Sequence, residues 1–161
     1  VPIKGSKSKS GIIVKGIHDL AVRFSKCCSP VPGDEIVGFV TRGRGITIHR
    51  TDCINVLNLP EIERSRLIDA EWQGVEEDNS AATYSTEISI FANNRIGMFV
   101  DISKIFTERE IDIKTMNSRV NKQGKATITM SFDIHGIEEL NNLMAKLRQI
   151  DGVLDIERTT G

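Results

Sequence analysis

No run of apolar residues in this chain approaches the ~20 that a membrane-spanning helix needs, which argues against that class of membrane protein. The opening VPIKGSKSKSG is basic and rich in Ser and Gly. It lacks the apolar core of a secretory leader, so no export signal is expected there. Cysteine is scarce and odd in number, three among 161 residues. Secreted disulfide scaffolds usually carry an even set, so a reducing cytoplasmic setting is expected, with the thiols kept reduced.

What is present is an ordinary globular composition, 39% hydrophobic and 27% charged, enough for one or two modest cores. The net charge of −1 conceals an asymmetry. Residues 1–60 carry nine Lys/Arg against four Asp/Glu, and residues 61–161 carry twelve against eighteen. Opposite signs in the two halves point to two units, of which the basic one suits a polyanion. The bland alternative is ordinary variation in a solvated surface.

Residues 1–10 read as a flexible linker or a cut edge. GIIVKG (11–16) reads as a short strand. In HDLAVRFSK (18–26) the spacing of Leu20, Ala21 or Val22, and Phe24 predicts a short helix or a turn. EIVGFV (35–40) and ITIH (46–49) flank the glycine-bearing TRGRG and predict a hairpin. TDCINVLNL (51–59), with Thr51 or Asp52 as N-cap, predicts a short helix ending before Pro60. LIDAEW (67–72) predicts a strand. Residues 11–73 thus form a small cysteine-containing α/β unit, and the polar segment 74–83 is the expected linker.

From residue 84 the pattern is cleaner. Tyr84, Thr86, Ile88, Ile90 and Ala92 alternate with Ser85, Glu87, Ser89 and Phe91, predicting a strand with one buried face. After the loop NNRIG (93–97), Phe99, Ile102, Ile105 and Phe106 follow helical spacing. Strands are predicted over 112–120 and 125–135 about the turn NKQG, and a helix over 137–150 with Ile137, Leu140, Leu143, Met144, Leu147 and Ile150 on its stripe. Gly152 fits a left-handed C-cap, and VLDIERT a last strand. The order βαββαβ with right-handed crossovers gives a ferredoxin-like unit, four antiparallel strands with two helices on one face, over 84–161. The fold class is α+β.

Cys27, Cys28, His49 and Cys53 make up a Cys3His set. Three thiolates and an imidazole suit tetrahedral zinc, the hairpin would bring the set's two ends together, and a metal would help a unit with a thin core. Three alternatives stand beside that reading. Small domains often bury Cys and His without a ligand, a catalytic thiol would need a base and an oxyanion-stabilising site, and adjacent cysteines rarely form a disulfide.

The run VKGIHDLAVRFSKCCSPVPGDEIVGFVTRGRGITIHRTDCINV, with its pattern CCxPxPGDxIxGxxxxGxGxxxHxxxC, resembles the conserved-cysteine, or zinc-finger, domain of the RelA/SpoT-type stringent-response enzymes. The later part of the chain resembles their C-terminal ACT domain, with Asn94-Arg95-Ile96-Gly97 at the first strand–helix loop. The resemblance covers residues 11–161. It implies a parent enzyme that makes (p)ppGpp from GTP or GDP and ATP, and in many members hydrolyses it. Those activities lie in N-terminal domains that this chain is too short to contain. The sequence shows no metal-dependent hydrolase motif, since His18-Asp19 is a lone dipeptide, and no nucleotide-binding synthetase motif.

The resemblance therefore implies a non-catalytic regulatory region that docks on the ribosome beside uncharged tRNA and relays amino-acid starvation to the catalytic half. Arg42, Arg44 and Arg50 around the glycine loop suit RNA phosphates, with a solvated hairpin tip as the alternative. The ACT resemblance also implies pairing with a second copy and a branched-chain amino acid at the seam. Asn94, Arg95, Ile96, Gly97 and Met98 would lie on one side, with Met116 against the apolar side chain and Asn117 of the other chain at the amino group. Many ACT domains bind nothing, and Gly97 then serves only its turn.

Overall fold

The computed structural model describes residues 12–14, 22–43, 45–72 and 82–159. They fall into two compact units, one ending at Ala82 and one spanning Thr83–Thr159.

The first unit is built on a five-stranded sheet in the order β1-β5-β3-β4-β2. Its strands are β1 (Ile12–Val14), β2 (Val22–Phe24), β3 (Ile36–Thr41), β4 (Gly45–Arg50) and β5 (Leu67–Trp72). The hairpin expected from the β-rich runs around TRGRG forms as β3–β4, and LIDAEW forms β5. Val22–Phe24 does not form the expected helix or turn: it is a strand, paired in parallel with β4 through Val22↔Ile46 and Phe24↔Ile48. Val22 and Phe24 are two apart, a strand spacing, and both pack on Ile46 and Ile48. Residues 18–21 of that expectation, and most of the 74–83 linker, lie outside the described residues.

Directly paired residues share a sheet face. Gly38, Ile48 and Ile68 therefore lie on one face, and Val37, His49 and Asp69 on the other. The first face carries a core of Ile46, Ile48 and Ala70 with Phe24 and Trp72. The two rings stack with centroids 5.6 Å apart. The opposite face carries a smaller cluster of Cys28, Cys53 and Val56 with Cys27, Val37 and Leu67. Helix α1 (Ile54–Leu57) is one turn long, followed by a 3-10 helix over Glu61–Arg66. The N-cap of α1 is Cys53, in extended backbone and without a side-chain cap, rather than Thr51 or Asp52. The Asp52 carboxylate is engaged by Arg50, and the Thr51 hydroxyl faces Glu35.

The second unit runs β6 (Tyr84–Asn93), α2 (Met98–Glu108), β7 (Ile113–Val120), β8 (Lys125–Ile134), α3 (Ile137–Arg148) and β9 (Val153–Arg158). Its antiparallel sheet has the order β7-β8-β6-β9, the ferredoxin-like arrangement. Ile88, Ile90, Ile128, Met130 and Phe132 all face the helices and are fully buried. Leu140, Leu143 and Leu147 of α3 meet them, as do Met98, Ile102 and Phe106 of α2. Phe106 sits edge-on to Phe132 at 5.0 Å. Phe99, expected on the inner stripe, is 39% exposed, because Met98, Ile102 and Phe106 at four-residue spacing already fill that face. Gly152 is left-handed, with φ of 95°, but stands beyond the helix cap Gln149, in the turn where its carbonyl accepts from Asn93 N.

Candidate metal centre

The parallel pairing of β2 with β4 builds this site. It continues one bond past the strand, where Ser25 N donates to Ile48 O at 2.9 Å. The residues after Phe24 therefore run beside those after Ile48. The chain turns at 26–28, helped by Ser29 in left-handed backbone (φ 47°) and by Ser29 N donating to Ser25 O. That turn directs both adjacent thiols toward His49. Cys53 returns from the other side, its N–H held by Arg50 O at 3.0 Å.

The four side chains converge, with the ligand atoms of Cys27, Cys28, His49 and Cys53 all within 4.8 Å of one another. Cys27 Sγ lies 3.4 Å from Cys53 Sγ, 4.0 Å from Cys28 Sγ and 3.5 Å from His49 Nδ1. Cys28 Sγ lies 3.9 Å from the same nitrogen. These separations are far above a disulfide bond of about 2.05 Å, and all three cysteines are free. Cys28 and Cys53 are buried, and Cys27 and His49 partly so. The set could hold a metal ion.

Burial pushes the Cys28 thiol up to about 12 against the Arg50 N–H, and its neighbours Cys27 and Cys53 add to the rise. Burial also raises Cys53. At Cys27 burial acts upward too, but hydrogen bonds involving Ser25, Asn55 and the other two thiols outweigh it and leave the group below its ordinary value. Burial lowers His49, favouring the neutral imidazole that ligates metals. Three crowded thiols can all ionise only beside a compensating cation, and a bound metal ion supplies one.

Three surrounding residues lie outside the Cys3His set, and of them the sequence singles out only Arg50, as an RNA contact. Ser25 Oγ lies 2.7 Å from Cys27 Sγ, and Asn55 acts against the upward push of burial at Cys27 and Cys53. Arg50 N donates to Cys28 Sγ at 3.3 Å. The one readable signal was the position of Arg50 between two ligands.

Residues 12–73 match the RelA/SpoT RIS domain family, and residues 80–158 match the ACT domain family. The GTP pyrophosphokinase of Escherichia coli K12 is 36% identical over 161 residues, 99% of this chain and 21% of that protein. The Haemophilus influenzae GTP pyrophosphokinase is 35% identical over 156 residues, 96% of this chain and 20% of that protein. The chain belongs to the RelA/SpoT family. It spans about a fifth of those relatives, in their C-terminal part. Among solved structures, the ACT domain of a Chlorobium tepidum GTP pyrophosphokinase is 26% identical, with a TM-score of 0.43, covering 48% of this chain and 99% of that one.

The other candidate residues of this RelA/SpoT chain scatter more. Arg42 is exposed at the β3–β4 turn, which Thr41 Oγ1 braces by donating to Gly45 O at 2.9 Å. Arg44 lies outside the described residues. Arg50 is not at that tip: it is 5% exposed, and its guanidinium is held by Asp52 and by Cys28 O.

In the ACT unit, Asn94 is exposed and Ile96 wholly so, while Gly97 caps α2 in left-handed backbone (φ 84°). Arg95 is engaged by Asp101, Ile96 O and Asp151 O. Met98 is 1% exposed and belongs to the core. Met116 pairs with the buried Met130, so it faces the helix side, and Asn117 faces the other. The two therefore do not share one pocket wall within a chain. Among the described residues, no helix is long and apolar enough to cross a membrane.

Proposed function

We propose that this chain is a regulatory module of a cytoplasmic (p)ppGpp synthetase/hydrolase, in which a zinc-held knuckle presents a basic hairpin to ribosomal RNA or tRNA and relays amino-acid starvation to the catalytic half. The observation that carries it is the convergence of Cys27, Cys28, His49 and Cys53 at the base of the hairpin whose tip exposes Arg42.

The donor set fits zinc. A tetrahedron with Zn–S bonds of about 2.3 Å has edges of about 3.8 Å. The sulfurs of Cys53 and Cys28 stand 3.4 and 4.0 Å from that of Cys27, and the two sulfur–nitrogen separations are 3.5 and 3.9 Å. Zinc at such a site supplies a structural cross-link. His49 and the three thiolates would hold it, tying the 25–28 turn, the end of β4 and the start of α1 together.

A rigid base makes the hairpin a preformed surface for phosphate contacts, with Arg42 and Arg44 supplying charge. Ribosome binding by the chain at two salt concentrations tests this. Arg42→Glu and Arg44→Glu should each weaken it and flatten its salt dependence, because fewer counterions are released. Unchanged affinity at both concentrations would leave the tip as solvated surface.

A second reading rests on β7, whose residues from Lys114 to Val120 are all exposed on a sheet edge, Met116 and Val120 among them. A bare edge of that length favours pairing with a second copy. Exposed Ile96 and Asn94 would then help a seam take a branched-chain amino acid. Calorimetric titration of valine, isoleucine and leucine into protein shown to be dimeric checks it; no heat with any of them would reject the ligand.

A further inference from the structure

Arg50 is a buried cation. Its side chain is 7% exposed, whereas that of its partner Asp52 is 61% exposed. A guanidinium withdrawn from water needs compensating charge and filled donors. Asp52 supplies a two-point fork, Nε to Oδ1 at 2.9 Å and Nη2 to Oδ2 at 2.6 Å. The remaining arm, Nη1, donates to the carbonyl oxygen of Cys28 at 3.2 Å. The backbone of the same residue donates to Cys28 Sγ at 3.3 Å and accepts from Cys53 N at 3.0 Å. Asp34 also adds attraction from the neighbouring loop. Arg50 thus touches two members of the cluster directly and follows a third, His49, in the chain.

We propose that Arg50 is a positioning residue of the metal centre: its guanidinium fixes the Cys28 carbonyl and thereby aims the Cys28 sulfur, and its charge offsets the excess negative charge of three thiolates around a divalent ion. The inference rests on the zinc reading of the four-residue cluster. Three thiolates and a neutral imidazole leave a zinc site with one negative charge in excess, partly buried in this unit. The fixed cation next to Cys28 attracts that excess as well as the Asp52 carboxylate, which holds the cation in place from the solvent side. The arrangement also explains why a charged residue is buried at the end of β4 instead of reaching toward solvent with Arg42.

The test compares wild type, Arg50→Lys and Arg50→Met, each checked for folding by circular dichroism. Zinc affinity is measured by competition with a chromophoric chelator, and cobalt(II) is bound in parallel to read its thiolate charge-transfer band. Arg50→Met should bind zinc about 10–100-fold more weakly, the range found when a ligand's supporting partner is lost. Its cobalt band should move to longer wavelength, because the Cys28 sulfur has lost a neighbouring positive charge. Arg50→Lys keeps the charge without the fork and should fall between the two. Affinities within twofold for all three proteins, with unshifted cobalt bands, would overturn the proposal while leaving the zinc site standing. If Arg50→Met does not fold, Arg50→Lys decides, and zinc affinity equal to wild type would overturn the proposal. A wild-type chain that binds neither zinc nor cobalt would remove both the inference and the reading beneath it.

Discussion

Cys27 and His49 stand 22 positions apart in the chain, yet the Cys27 sulfur lies 3.5 Å from His49 Nδ1. Three residues of parallel pairing bring this about. Once Phe24 lies beside Ile48, continuing both strands in the same direction sets the cysteine turn against the imidazole. The site thus depends on a non-local strand pair that would be weak alone, and a metal joining the two segments would reinforce it.

Stripping the metal should therefore loosen the first unit and spare the second. After chelation under reducing conditions, or in Cys53→Ser, amide exchange should accelerate over 22–28 and 45–57 and stay unchanged over 84–158. Hydrogen-exchange mass spectrometry reads both regions in one sample. Equal protection with and without chelator would contradict a structural ion.

Gly38 is needed for closeness within the sheet. A Cβ there would come within 3.0 Å of both Ile46 Cγ2 and Ile68 Cγ1. Gly38→Ala should destabilise the first unit by about 1–3 kcal/mol through overpacking. A denaturant midpoint equal to wild type would show that the two isoleucines give way freely.

Phe106 joins α2 to the sheet through its edge contact with Phe132, and it is 1% exposed. Phe106→Ala should lower the stability of the ACT unit by about 3–5 kcal/mol. Urea unfolding followed through that unit measures it.

Arg95 holds two loops of the ACT unit together. It donates to Asp151 O at 2.8 Å and pairs with Asp101 at 2.7 Å. Arg95→Met should cost about 1–2 kcal/mol, since the pair is partly exposed, and should raise exchange at 151–153. If exchange there does not change, the guanidinium is free to serve a ligand instead.

Much of the fold is legible in the sequence alone. The alternation through 84–92 and 126–134 and the stripe of α3 each specify one buried face, so local pattern and tertiary packing agree. The four ligand candidates are legible as residue types. Harder to read is whatever depends on a distant partner. Val22–Phe24 becomes a strand only because β4 offers an edge. Asp52 gives up the helix cap because the Arg50 fork takes its carboxylate, and that same pairing turns Arg50 inward. Met98 takes the inner place expected of Phe99, a shift of one position that helical spacing alone does not fix.

The most direct measurement is zinc content with X-ray absorption at the zinc edge, on chain purified under reducing conditions without chelator. The account predicts one zinc per chain, four-coordinate, with three sulfur neighbours and one nitrogen. A metal-free chain under those conditions, or one whose Cys27 and Cys53 sulfurs are found joined as a disulfide, would contradict it.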